Sequence, residues 1–327
     1  MTSAGSVARH ALICGLGSIG RRHLRHLRAL GVQRIDAYRT GHATMPADDT
    51  TRPDREFHSL DAALAERPQV VVVANPTSLH VATARAAVAA GCHVLVEKPL
   101  SNAVEGCEEL ALEAEAAGAV VSVACNLRFH PSVLALREWI SSGEPLGRAL
   151  TARAHFGTYL PDWHPWEDYC TSYAARAELG GGAALTHVHE IDLIGWLFGP
   201  AERIAALPLA PRPLGTDVDE ACAVLVGHAG GVLSSLTLSF VEKPASRTLD
   251  VTFSGGTANV DLLSGRWSMR GADGGYREGG VDADFDFDET YRRQAEAFLQ
   301  AARTGGAPTV GVREGLAAVR TALAVRA

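Results

Sequence analysis

The chain has 327 residues, 47% of them hydrophobic and 20% charged, with a formal net charge of -7. That length holds two domains of ordinary size, and the balance is that of a globular protein with a substantial core. A net acidic chain lacks the basic face that sequence-independent nucleic-acid binding requires. No 18-residue apolar span is present, so no membrane helix is expected, and residues 1–10 lack the apolar core of a signal peptide. The six cysteines, Cys14, Cys92, Cys107, Cys125, Cys170 and Cys222, show no paired spacing, and several lie in apolar strand patterns as small buried hydrophobes. A reduced, cytoplasmic protein is expected.

Ala11-Leu12-Ile13-Cys14 reads as a short buried strand that runs into Gly15-Leu16-Gly17-Ser18-Ile19-Gly20 and then a helical pattern over 19–30. Strand, glycine turn and helix together are the context in which GxGxxG holds a dinucleotide. Gly15 allows the tight turn, Gly17 lets the backbone approach a pyrophosphate, and Gly20 lets helix and strand pack closely. Ser18 and Ile19 then open a helix whose unpaired N–H groups favour phosphate. Arg21, Arg22, Arg25 and Arg28 follow at helical spacing as a solvated face, the first pair near enough to assist the phosphates.

Further helices are expected over 59–66, 78–90 and 102–117, and buried strands at 70–74, 94–96 and 120–125. This alternation predicts a parallel sheet with helices on both faces, spanning residues 1–125 as a Rossmann dinucleotide-binding domain. Two strands end in Asn75-Pro76-Thr77 and Glu97-Lys98-Pro99. Ligands sit at the carboxyl ends of strands in such a sheet, so Asn75, Pro76, Thr77, His80, Glu97 and Lys98 are expected to face the cofactor.

Residues 126–327 are expected to form an α+β domain with a large, mostly antiparallel open sheet for substrate binding and oligomerisation. Pro131 starts a helix over 132–140. Strands are expected at 149–156, 221–227, 231–240 and 249–253, with turns at Gly230-Gly231 and at Ser254-Gly255-Gly256-Thr257. One helix is expected over 185–197 and another over 289–303, while 270–288 reads as a surface loop with a short strand.

Gly15-x-Gly17-x-x-Gly20, Asn75-Pro76-Thr77-Ser78-Leu79-His80 and Glu97-Lys98-Pro99 resemble the glucose-fructose oxidoreductase/inositol dehydrogenase (Gfo/Idh/MocA) family. The block from Gly180-Gly181-Gly182 through His189-Glu190-Ile191-Asp192 to Trp196-Leu197-Phe198-Gly199 resembles that family's substrate domain. The resemblance implies an NAD(P)-dependent oxidoreductase acting on sugars or cyclitols. It also points to a subgroup linked with sialic-acid-like and other modified sugars, through the aromatic loop together with Tyr173, Glu178 and the His-Glu-Ile-Asp stretch. Set against the family's second strand, the position that would grip the ribose 2′-hydroxyl of NAD falls on Arg39, followed by Thr40. An arginine there suits the 2′-phosphate of NADP, the preferred cofactor, with NAD the other choice. Asp36 lies inside the strand and reads as structural.

The resemblance gives Lys98 the task of hydrogen-bonding and polarising the reacting oxygen, and Pro99 fixes the turn that carries it. His189 is the second proton-handling candidate. Where the family places an aspartate one turn earlier, this chain has Thr186, which leaves Asp192 or Glu190 to orient the imidazole. On one helix, positions 186, 189 and 192 share a side, whereas His187 and His189 do not face each other, so no metal is expected.

Asn126 and Arg128 follow the last strand of the first domain and are expected to hydrogen-bond substrate. The loop from Tyr159 to Tyr169 concentrates aromatic residues in a chain that is only 6% aromatic. Trp163 and Trp166 there suit the apolar faces of a sugar ring, and Asp192 its polar edges. A homodimer or homotetramer is expected, because an open sheet face needs covering. Two alternatives stay open: a cofactor-binding sensor with little turnover, and the same fold reducing an imine or acting on a dihydrodiol.

Overall fold

The computed structural model describes residues 8–40, 52–163, 168–282 and 285–326. The chain folds as two compact units, one of Met1–Cys125 with Tyr291–Leu316, the other of Asn126–Thr290 with Ala317–Ala327.

The first unit is built on strands β1 (His10–Cys14), β2 (Arg34–Tyr38), β3 (Glu56–Phe57), β4 (Val70–Val73), β5 (His93–Glu97) and β6 (Val121–Ala124). They pair in parallel in the order β3-β2-β1-β4-β5-β6. Every residue of Val70–Val73 is buried, as a strand covered on both faces requires. Helices α1 (Ser18–Ala29), α2 (Leu60–Leu64), α3 (His80–Ala89) and α4 (Cys107–Ala117) connect them. The order reverses between β1 and β4, and this is where an open α/β sheet offers a ligand site at its carboxyl ends. Asp36 on β2 is buried against His10 at 3.0 Å and Arg34 at 2.6 Å, a structural role.

Residues 291–316, placed by the sequence division with the second domain, pack with the first unit. Phe298, Leu299 and Ala301 of α8 (Asp288–Thr304) join the cluster that contains Ile13, Leu27 and Val72. The Val123 N–H also donates to the Val310 carbonyl at 2.9 Å.

The second unit carries an eight-stranded sheet in the order β14-β13-β12-β11-β7-β10-β9-β8. Its strands are β7 (Ala149–Tyr159), β8 (Ala201–Pro208), β9 (Ala221–His228), β10 (Leu233–Ser239), β11 (Val241–Phe253), β12 (Gly256–Asp261), β13 (Arg266–Gly271) and β14 (Tyr276–Gly280). All pairings are antiparallel except β7 with β10. Strand alternation sets the two faces. Cys222, Val224, Val226, Leu236 and Leu238 point into the core, covered by α5 (Pro131–Ser142), α6 (Ala183–Thr186) and α7 (Val188–Phe198). The outer face presents Leu207, Leu225 and Leu233, all more than half exposed. The helix α9 (Val312–Leu323) closes the chain and contributes Ala318 and Ala322 to this core.

Three sequence expectations change here. β8 is an unforeseen edge strand with no buried residue, so it carries no apolar alternation to detect. β12 and β13 are likewise unforeseen, while β14 is the short strand expected within the loop over 270–288. The helix expected over 185–197 breaks at His187, which has φ -93° and ψ 30°.

His130 caps α5, its Nδ1 accepting the Ser132 N–H at 3.2 Å. Burial and then the Arg247 charge push its pKa down to about 4. The ring is a cap only while Nδ1 is unprotonated, and a cation there would oppose the helix dipole. Unfolded histidine titrates near pH ~6.5, so the full stability is present above that value and is lost as pH falls toward 4, by about 3 kcal/mol. In urea unfolding, His130→Asn, which keeps a capping side chain, is expected to remove this part of the acid dependence. An unchanged pH slope in the variant counts against the assignment.

Candidate active site

The glycine turn is shaped by two steric demands and one opening. Gly15 has φ +101°, and a Cβ there would lie 2.5 Å from the Ala74 carbonyl oxygen. A Cβ on Gly20 would lie 2.0 Å from the Gly15 carbonyl oxygen. Gly17, by contrast, is exposed, and a Cβ there would meet nothing within 4 Å. Gly15 and Gly20 therefore serve the fold, while Gly17 keeps an approach clear. Ser18 is exposed and Ile19 half-buried at the start of α1, which has no side-chain cap.

Across the switch point, Asn75 follows β4. Its Nδ2 donates to Thr83 Oγ1 at 2.9 Å, and its buried Oδ1 has no partner among the described residues. Pro76 is exposed and Thr77 buried beside it. An open approach at Gly17, uncapped first-turn N–H groups and an orphan amide oxygen at neighbouring strand ends fit a dinucleotide. Gly17→Val is accordingly expected to leave the melting temperature near that of the wild type while weakening nicotinamide binding about tenfold or more, read by titration. Equal losses of stability and affinity would make Gly17 a fold residue like Gly15.

Arg39 stands one residue beyond β2, with Nη1 3.2 Å from both carboxylate oxygens of Glu56. Its backbone is fixed by Phe57 and His58, and Thr40 next to it is exposed.

The turn after β5 is fixed from both sides. Glu97 is buried, with Oε1 2.7 Å from His23 Nε2 on α1 and Oε2 accepting the Lys98 N–H at 3.1 Å. Burial alone would raise the Glu97 pKa, but the His23 hydrogen bond, with the Lys98 charge and N–H, more than offsets it and holds the carboxyl below its ordinary value. Lys98 itself is half-buried. His80, at the start of α3, lies 2.8 Å by Nδ1 from the Pro99 carbonyl and 2.9 Å by Nε2 from the Asn75 carbonyl. It ties the end of β4 to this turn, and burial holds its pKa below the ordinary value, the two carbonyls offsetting only part. The sequence reading missed His23. Its signal was a polar residue in the buried stripe Gly20, His23, Leu24, Leu27 of α1, where a polar group needs a partner.

In the second unit, the break at His187 separates Thr186, which ends α6, from His189, the second residue of α7. Thr186 is thereby removed from the expected shared helix side, while His189 and Asp192 remain three residues apart on α7. His187 packs among Phe156, Trp163 and Phe240, with ring centroids 4.2, 5.9 and 5.0 Å away. Among the described residues, no group of three or more His, Cys, Asp or Glu side chains could hold a metal ion.

Arg128 and Asp192, expected to meet substrate, face each other in a bidentate pair at 2.6 and 3.0 Å, almost wholly buried. Glu190 is likewise engaged by Arg247 at 2.6 Å. Both carboxylates offered as orienters of His189 thus hold arginines, a pairing that sequence spacing does not reveal. Asn126 is buried and donates to Thr290 Oγ1 at 2.7 Å. Trp163 is partly buried against the core, and Trp166 lies outside the described residues.

Two family models match the chain. The Gfo/Idh/MocA oxidoreductase family model with an NAD-binding Rossmann fold matches residues 9–125, and the Gfo/Idh/MocA C-terminal domain model matches residues 133–259. Among curated relatives, D-xylose 1-dehydrogenase (NADP(+)) 2 of Haloferax volcanii is 27% identical over 287 residues, covering 85% of this chain and 83% of the relative. 1,5-Anhydro-D-fructose reductase of Ensifer adhaerens is 29% identical over 265 residues, covering 78% and 75%. Among solved structures, levoglucosan dehydrogenase in complex with NADH and levoglucosan superposes with a TM-score of 0.86 at 20% identity, covering 97% of this chain and 95% of that one. With both halves of the family matched in order over most of its length, the chain belongs to the Gfo/Idh/MocA family of NAD(P)-dependent oxidoreductases.

Proposed function

We propose that the protein oxidises a hydroxyl of a small sugar or cyclitol, or reduces the matching ketone. Bound nicotinamide supplies or accepts the hydride at carbon. The chain's own task is then the proton on the substrate oxygen. Lys98 takes that role, as a half-buried ammonium set at the end of a rigid strand with its backbone pinned by Glu97. His189 is the second proton-handling group, and Trp163 offers a flat apolar face to the ring. Asn126, Arg128 and Asp192 hold the framework of the second unit, Asn126 through Thr290 and the other two through their mutual pair. The fixed Glu-Lys-Pro turn beside a glycine turn with an open approach is the observation that carries this reading, and the sugar dehydrogenases and reductases among the relatives support its substrate class.

NADP is the proposed preferred cofactor over NAD. Arg39 sits where the second strand ends, and a guanidinium there matches a 2′-phosphate. Arg39→Ala is expected to raise the NADP KM about tenfold or more, with NAD affected far less. Equal changes for both cofactors would remove Arg39 from the site.

We further propose a homodimer or homotetramer that covers the outer sheet face carrying Leu207, Leu225 and Leu233. No helix among the described residues is long and apolar enough to cross a membrane. The test of the activity is the appearance of reduced nicotinamide when the protein meets each oxidised cofactor with a panel of sugars, sugar nucleotides and cyclitols. Tight cofactor binding without turnover across the panel would favour a sensor instead.

A further inference from the structure

The Glu97-Lys98-Pro99 turn is held by more than a surface turn needs. His23 is fully buried on α1, the helix that begins in the glycine turn, and its Nε2 lies 2.7 Å from Glu97 Oε1. Its Nδ1 is buried with no partner among the described residues. An orphan N–H is costlier than an orphan lone pair, which puts the proton on Nε2, donating to the carboxylate. A hydrogen bond to a charged group in a dry interior is short and strong. With Oε1 so fixed, the carboxylate plane is set, and the other oxygen of Glu97 accepts the Lys98 N–H at 3.1 Å. Among the described residues, Lys98 and His80 are charged or titratable neighbours of the pair, and His80 Nδ1 lies 2.8 Å from the Pro99 carbonyl.

We propose that His23, acting through Glu97, is a positioning residue for Lys98, keeping the lysine in register with the glycine turn at the head of the same helix. The inference rests on the reading of Lys98 as the proton-handling group, yet its test needs neither cofactor nor turnover. Lys98 and Lys243 are the only lysines in the chain. Protein labelled at the lysine ε-carbon therefore gives two resonances, and Lys243, ion-paired with Asp162 at 3.0 Å, serves as the internal reference.

His23→Leu removes the donor, whereas His23→Gln keeps an N–H of similar reach. Glu97→Gln turns an amide donor toward the Lys98 N–H or toward His23. The expected result is that His23→Leu and Glu97→Gln shift and narrow the Lys98 resonance, that His23→Gln leaves it close to its original position, and that Lys243 stays put throughout. In turnover, kcat falls about tenfold to a hundredfold in the two disruptive variants, as a misplaced group does. The nicotinamide KM moves far less, and His23→Gln recovers most of the lost kcat.

An unmoved Lys98 resonance in both disruptive variants overturns the proposal, even where both melt at lower temperature, because a purely structural pair behaves that way. If His23→Leu does not fold, the contrast between Glu97→Gln and His23→Gln decides on the same terms. Wild-type protein that shows no turnover while the variants still shift Lys98 would sink the enzymatic reading and leave the positioning intact.

Discussion

Lys98→Met is expected to lower kcat by about a thousandfold, within the range general acid-base groups contribute, while nicotinamide binding stays close to wild type. Methionine keeps the length and apolar stem of lysine but has no proton to give and no charge to set against a developing oxyanion. The turn itself survives, because the bonds that fix it are to backbone: the Lys98 N–H to Glu97 and the Pro99 carbonyl to His80. Lys98→Arg is expected to recover little, since a planar guanidinium with a very high pKa neither fits an ammonium's place nor exchanges a proton near neutral pH. Steady-state kinetics with cofactor titration on the same samples checks both. A Lys98→Met enzyme with kcat within about tenfold of wild type would move the chemistry to another residue.

The second large effect is on stability. Asp192→Ala is expected to destabilise the protein by about 3–5 kcal/mol, because it removes the buried carboxylate that holds the Arg128 guanidinium by two hydrogen bonds. Both side chains are almost inaccessible, and the pair is bidentate, with the guanidinium also 5.1 Å from the Trp196 ring centroid. Such a loss is a large part of the stability of an ordinary domain. Replacing both partners, Arg128→Met with Asp192→Leu, is expected to recover much of it, because apolar side chains of similar volume carry no desolvation cost for buried charge. Urea unfolding of the two single variants and the double variant gives the comparison. Singles that each cost less than about 1 kcal/mol would mean that water reaches the pair.

The parts of this molecule that were legible in its sequence are those where one local pattern decides the outcome. Four valines in Val70–Val73 can only be a strand buried on both sides, and Gly15 and Gly20 announce a turn that no side chain can enter. The Glu-Lys-Pro turn was legible as a strand end, and its lysine as a candidate group. What stayed hidden depends on partners distant in sequence. Arg128 is 64 residues from Asp192, and Glu190 is 57 from Arg247, so neither pair leaves a spacing to read. No glycine or proline stands at 185–189 to mark a helix end, so the break at His187 that detaches Thr186 from α7 left no sign in the sequence. An amphipathic helix shows which face it buries but not against which core. That is why the packing of α8, through Phe298 and Leu299, with the first unit could not be read from its sequence.

The most direct test of hydride chemistry at this fold is isotopic. The best alcohol from the substrate panel, deuterated at its carbinol carbon, is incubated with the protein and the oxidised nicotinamide it prefers, and the reduced cofactor is weighed by mass spectrometry. The account predicts that deuterium moves from substrate carbon to nicotinamide, with no incorporation from deuterated water, and that Lys98→Met abolishes the transfer on the same time scale. Reduced nicotinamide carrying solvent hydrogen, or none formed with any sugar or cyclitol despite tight cofactor binding, would contradict it.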